Sequence, residues 1–257
     1  MAPVLAVIVA LLATFIYASV DAGRPIVGGP TTVPAVAAEA PAAPQDDERP
    51  TTTKGPENLS SEDLTKKVAA SVRTVRTLDE AGQPVEGSAF AVGSFGGQSL
   101  FLASLAVVRA STRSPAPAIA LEGGREATLW TWDEGTDLAL LVIAGSVETL
   151  PFVSSGSSVK PGERIYASAG SNLFAGVILS SSSTAIEHNI PVGLNLQGAP
   201  IVNQKGEVLA LASRAYNPGG NGTETVFSGV PISVACERVL QCGTGNTGPG
   251  STPTSNP

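Results

Sequence analysis

The chain is poor in the residues from which catalytic and metal sites are usually assembled. Its 257 residues include one histidine, His188, and two cysteines, Cys236 and Cys242. A Cys/His zinc site needs more ligands than these supply, so no metal and no cofactor are implied. Aromatic residues make up 5% and charged residues 14% of the chain, and Lys and Arg form no cluster. Without a basic patch to neutralise phosphates, nucleic acid is not an expected partner. The net charge of −7 serves solubility and carries no information about fold. Gly, Ser, Ala and Val are plentiful instead, with 28 glycines alone. That mixture suits a β-rich fold built from small side chains rather than a helical bundle.

One long apolar run stands out. Residues 2–20, APVLAVIVALLATFIYASV, carry no charge. As a helix rising about 1.5 Å per residue they reach roughly 28 Å, close to the hydrocarbon thickness of a bilayer. Segment 1–22 is therefore expected to be an uncleaved membrane anchor or a signal peptide. Val20-Asp21-Ala22 offers a small-x-small cleavage site. The first basic residue, Arg24, follows the run, which weakly disfavours export. Both readings place the rest of the chain outside the cytoplasm, held at the cell membrane or secreted. In an oxidising compartment Cys236 and Cys242 would close a short loop, contributing ~2 kcal/mol. Residues 23–60 are rich in Pro, Ala and Thr and are expected to form a disordered linker. The tail, 243–257, is low-complexity and is expected to be disordered too.

Between these ends, Ser60-Ser61-Glu62-Asp63 has the form of a helix start with acidic residues in the first turn. Short β segments then follow one another. The first set is Val72–Thr77, Ser88–Val92, Ser99–Ala103, Ala118–Leu121, Ala127–Trp132 and Ala139–Val142. The second is Arg164–Ala167, Phe174–Ser180, Ala199–Val202, Val208–Arg214 and Thr225–Val230. Turns such as Gly96-Gly97, Gly123-Gly124 and Pro161-Gly162 separate them. This spacing predicts an all-β sandwich or barrel, with two groups of strands suited to two lobes. Pro231–Leu240 reads as a closing amphipathic helix.

Six segments, in order, carry a resemblance. They are Gly87-Ser-Ala-Phe-Ala-Val, Leu102-Ala-Ser-Leu-Ala-Val-Val-Arg and Thr136-Asp-Leu-Ala-Leu-Leu-Val, then Pro161-Gly-Glu-Arg-Ile-Tyr-Ala-Ser-Ala-Gly, Gly198-Ala-Pro-Ile-Val-Asn-Gln-Lys-Gly-Glu-Val-Leu-Ala-Leu and Val226-Phe-Ser-Gly-Val-Pro-Ile. Together they resemble the trypsin-like (chymotrypsin-like) serine protease domain, nearest to the bacterial HtrA/Deg type, over about 170 residues. The resemblance implies an all-β fold of two six-stranded β-barrels within residues 61–242, with a short C-terminal helix and the site between the barrels. The N-terminal apolar segment would precede it as a helix.

The reactive positions depart from that pattern. Asn195-Leu196-Gln197-Gly198-Ala199-Pro200 has the outline of the family's nucleophile loop, G-[ND]-S-G-G-P, with Gln197 in the serine's place. A primary amide offers no proton whose removal gives a usable nucleophile. By the same alignment the general base is replaced by Ala106, and only the orienting carboxylate, Asp137, is kept. Asn195 stands where the family has the glycine whose N–H helps bind the oxyanion. Other candidates are weak. His188 falls in the second lobe, away from the base position, and reads as a surface or groove residue. Ser157-Ser-Val-Lys160 spells S-x-x-K but runs into a Pro-Gly turn rather than a helix. Ser104 reads as strand surface.

The expectation is an exported, membrane-anchored pseudoprotease, tethered through residues 2–20, whose groove binds a protein or peptide. Asn195, Gln197 and Gly198 would line that groove, and an extended peptide would bind by strand addition. The alternatives are a serine-type hydrolase with a non-standard site and a structural envelope protein that does not use the groove.

Overall fold

Alternation along each strand decides the architecture. In the first half of the chain Ala89, Ala91, Phe101, Ala103 and Leu141 share one buried cluster. Their immediate neighbours Phe90, Leu102 and Leu140 belong to another. Successive side chains of a strand point to opposite faces, so these strands are covered on both sides. One face lines a barrel interior and the other packs outward. The narrow interior of a six-stranded barrel accounts for the alanines.

The computed structural model describes residues 58–154, 159–218, 220 and 225–242. Strands β1 (Val72–Leu78), β2 (Pro84–Phe95), β3 (Gln98–Ser104), β4 (Ile119–Leu121), β5 (Arg125–Asp133) and β6 (Leu138–Ala144) close a barrel in the order β1-β2-β3-β6-β5-β4. Strands β7 (Arg164–Ala169), β8 (Asn172–Ser181), β9 (Ile186–His188), β10 (Pro200–Val202), β11 (Val208–Ser213) and β12 (Phe227–Pro231) close a second in the order β10-β11-β12-β9-β8-β7. The fold is therefore all-β, with two closed six-stranded barrels. Each strand expected from the sequence is present. The one not anticipated is β9, whose three residues follow the polar run 180–184 and are too short to show an alternation.

The barrels meet across a shared core. Val72, Phe90, Leu102 and Leu140 of the first pack in one cluster with Val202, Val208, Leu211 and Val230 of the second. Helix α1 (Ser61–Ser71) inserts Leu64 and Val68 into the same cluster. Its start is fixed as the sequence indicates. Ser60 Oγ accepts the Asp63 N–H at 3.1 Å, with Glu62 and Asp63 in the first turn. The chain is already tied down at Leu59, whose N–H donates to Gln204 O at 3.0 Å.

A short helix, α2 (Leu105–Val108), follows β3. At the other end α3 (Ile232–Ala235) runs into a wider helical turn, Cys236–Leu240, and stops at Gln241 with φ 49°. Cys236 and Cys242 are joined by a disulfide across that end. The apolar segment 1–22, the linker up to residue 57, Ser157 and the tail 243–257 lie outside the described residues. Among the described residues no helix is long and apolar enough to cross a membrane.

Candidate functional site

Five segments converge where the barrels face each other. Strand β3 ends at Ser104, and α2 begins at once. The turn before β6 holds Asp137 at φ 56°, a left-handed conformation that Asp tolerates better than most residues. That turn is fixed from within: Asp133 Oδ1 accepts the Thr136 N–H at 2.8 Å and the Thr136 hydroxyl at 2.7 Å. From the second barrel comes a tight helical turn, Leu194–Leu196, followed by Gln197 and Gly198. The fifth segment is the end of β11, Ser213, with Arg214 beyond it.

Gly198 is required by contact as well as conformation. It has φ +85°, and a Cβ there would sit 2.2 Å from Ser88 O and 2.8 Å from Ser104 N. The loop is pressed against the first barrel and bonded to it. The Ser88 N–H donates to Gln197 O at 2.8 Å, and the Ser88 hydroxyl donates to Asn195 O at 2.6 Å.

Within this frame the Asp137 carboxylate receives four donors. The Ala106 N–H reaches Oδ1 at 2.7 Å. Oδ2 accepts the hydroxyls of Ser104 at 2.5 Å and Ser213 at 2.6 Å, and the Gln197 amide Nε2 at 3.1 Å. The same amide donates to Ser104 Oγ at 2.6 Å, and its oxygen accepts the Arg214 N–H at 2.8 Å. Asp137, Ser104, Ser213 and Gln197 are all buried, Gln197 being 6% exposed. The amide of residue 197 thus meets the carboxylate directly, the contact that a base at position 106 would otherwise mediate. Three of these neutral donors share Oδ2 and one engages Oδ1. A buried carboxylate bonded in this way stabilises the junction of the barrels.

The backbone donors are turned inward as well. The Gln197 N–H donates to Gly193 O at 3.1 Å and Leu194 O at 3.2 Å, and the Gly198 N–H donates to Ala212 O at 2.8 Å. An oxyanion needs free donors aimed at it, and the donor of residue 197 itself is consumed by its own turn. Along the opposite wall the N–H groups of Ala215 and Tyr216 both bond Ser213 Oγ at 3.0 Å. What remains open is a cleft of about 380 Å³, lined by Val85, Val107, Leu194 and Ala215 with Gln197 and Ala106 at its floor. A smaller depression of about 180 Å³ adjoins it, and Arg214 borders both.

The structure brings Ala106, Asp137 and Gln197 together. The expected groove residues divide. Asn195 is exposed and Gln197 floors the cleft, whereas Gly198 is buried beneath the loop and offers no surface. Two other expectations are corrected. Ser104 is not strand surface but fully buried, because its hydroxyl bridges Gln197 and Asp137. His188 is neither surface nor groove. It shares the inward face of β9 with Ile186, is fully buried, and stacks on Phe227 at 6.3 Å between ring centres. Its Nδ1 accepts the Ile190 N–H at 3.2 Å, Nε2 has no partner, and burial pushes its pKa down to about 4. Lys160 lies exposed in a turn with Glu163, and its would-be partner Ser157 is outside the described residues. Sequence reading missed Ser213 and Arg214, which sit 16 and 17 residues beyond Gln197 with no motif to mark them. Among the described residues no group of His, Cys, Asp or Glu is arranged to hold a metal.

No protein-family model matches the chain, and no curated protein matches it by sequence. By structure it is similar to the serine endoprotease from Yersinia pestis, at 19% identity and a TM-score of 0.54. The match covers 70% of this chain and 66% of that one, so the chain spans a little under two thirds of the endoprotease. Taken with the two closed six-stranded barrels, this likeness establishes the trypsin-like two-barrel fold for the chain.

Proposed function

We propose that the chain is a pseudoprotease: a trypsin-fold domain that binds a protein or peptide in its inter-barrel cleft and does not cleave it. The observation that carries this reading is the bond from Gln197 Nε2 to Asp137 Oδ2. It puts an inert amide against the carboxylate where turnover needs a base, while the nucleophile's own position supplies that amide. The inward-turned Gln197 N–H supports the same conclusion, since transition-state stabilisation needs that donor free. The cleft stays open and apolar, which suits retention of a ligand. Export and membrane tethering belong to the same proposal. They are supported by the apolar run 2–20 and by the Cys236–Cys242 disulfide, a bond that persists in oxidising compartments.

The spent donors at Arg214, Ala215 and Tyr216 change how such a ligand is held. Strand addition needs alternating donors and acceptors on the edge, and this stretch has no N–H to give. Side-chain contacts in the cleft therefore carry the recognition.

The direct test is to expose the purified full-length chain to a fluorophosphonate probe and to casein. Neither labelling nor turnover is expected. Covalent labelling of the wild-type chain, lost on changing one serine, would show a working hydrolase and overturn the proposal. Intact mass of the protein recovered from its native membrane tests the tether: retention of residues 1–22 supports an anchor, and their loss removes it.

A further inference from the structure

We propose that the cleft selects an extended peptide segment bearing an apolar side chain next to an aspartate or glutamate, with Arg214 as the residue that reads the acid. This rests on the cleft being a binding site and names its ligand class. Three observations lead to it. The cleft wall is apolar, built from Val85, Val107, Leu194 and Ala215, and Leu194 stands 67% exposed at its edge. A volume of about 380 Å³ accommodates a leucine-sized side chain and its flanking backbone.

The charges around the cleft are unequal. Glu86 is already paired with Arg76 at 2.9 Å, so its acidity is compensated. The Arg214 guanidinium makes no ion pair and no hydrogen bond among the described residues, in a chain whose net charge is −7. It borders both the cleft and the smaller depression, so a carboxylate on either side of the apolar anchor meets it. A planar guanidinium matches a carboxylate in a two-point fork, which an amide cannot reproduce.

The third observation concerns what fixes the arginine. Its own N–H is gripped by Gln197 Oε1 at 2.8 Å. Gln197 is thus a positioning residue for Arg214, and the amide that meets Asp137 also sets the backbone of the cation. Because no N–H of residues 214–216 faces outward, the peptide main chain contributes little, and the side-chain charge decides among ligands.

Fluorescein-labelled peptide pools, each with one leucine followed by Glu, Gln or Lys in a Gly/Ser background, test this by fluorescence anisotropy on the full-length chain. The Glu pool is expected to bind about two- to five-fold tighter than the Gln pool, with the preference shrinking as salt rises. Arg214→Glu should reverse the order so that the Lys pool binds best, and Leu194→Asp should weaken every pool. Equal binding of the Glu, Gln and Lys pools, or no saturable binding by a chain whose circular dichroism is native, overturns the proposal. Cleavage of the peptides would sink the non-catalytic reading alone, because the charge preference would still be read from which pool is consumed.

Discussion

Replacing Gln197 with methionine tests the central network most directly. Gln197→Met keeps an unbranched side chain of the same length and deletes its polar end. Four hydrogen bonds go: Nε2 to Ser104 Oγ at 2.6 Å, Nε2 to Asp137 Oδ2 at 3.1 Å, Arg214 N–H to Oε1 at 2.8 Å, and a long one from Nε2 to Ser213 Oγ at 3.4 Å. A neutral bond contributes about 1 kcal/mol net and one to a charged group about 1.5–3 kcal/mol. The buried thioether recovers about 1 kcal/mol of apolar transfer in return. With the long Ser213 contact counted as negligible, the balance is a loss of about 2.5–4 kcal/mol. On a urea slope of about 3 kcal/mol per molar, the unfolding midpoint of the full-length chain should fall by roughly 0.8–1.3 M with an unchanged slope. Trp130 and Trp132, on β5 of the barrel that holds Asp137, provide the fluorescence signal. A double cycle with Ser213→Ala should show coupling of at least about 0.5 kcal/mol, since both side chains bond Asp137 Oδ2. A midpoint within about 0.2 M of wild type would refute the reasoning, because the amide would then be filling space and not holding the barrels together.

Three further outcomes are expected. His188 is held neutral when folded, near pKa about 4 against an ordinary 6.5, so between those values the unfolded chain binds the extra proton. Stability is full above pH 6.5 and falls by about 3 kcal/mol as pH drops toward 4. Denaturation midpoints across that window, flattened in His188→Phe, check this. Gly198→Ala drives a Cβ into Ser88 O and Ser104 N at a positive φ. It should cost about 3 kcal/mol or more, lowering Tm by roughly 6–12 °C in calorimetry. Reducing the Cys236–Cys242 bridge opens a loop of sequence separation 6 and should lower stability by about 2 kcal/mol, read as a urea midpoint shift with and without reductant.

The fold was largely legible because its physics is local. Strand alternation and glycine turns repeat along the chain, and eleven strands stood out on that basis. β9 did not, since three residues after a serine run carry no period. His188 was misplaced for the same reason: without β9 there was no face to assign it to. The triad positions were legible through their motifs, but what fills the site was not. Ser104, Asp137, Gln197 and Ser213 meet over separations of 16 to 93 residues, and each is an ordinary polar residue in its own segment. That Gln197 occupies the serine's place in the motif can be read from one letter. Its reach to the carboxylate depends on side-chain length and loop placement, which only the folded chain supplies.

The network also constrains where this chain can go next. A histidine placed at position 106 meets an amide already bonded to Asp137, and a serine placed at 197 meets no histidine and leaves the Arg214 N–H without its acceptor. The change at 197 alone gives up the bonds that Gln197 makes, and the change at 106 alone leaves them in place. Under the proposed pseudoprotease reading, building a Ser–His pair here takes two coordinated changes and a freed N–H at residue 197, so no single substitution is a step toward turnover.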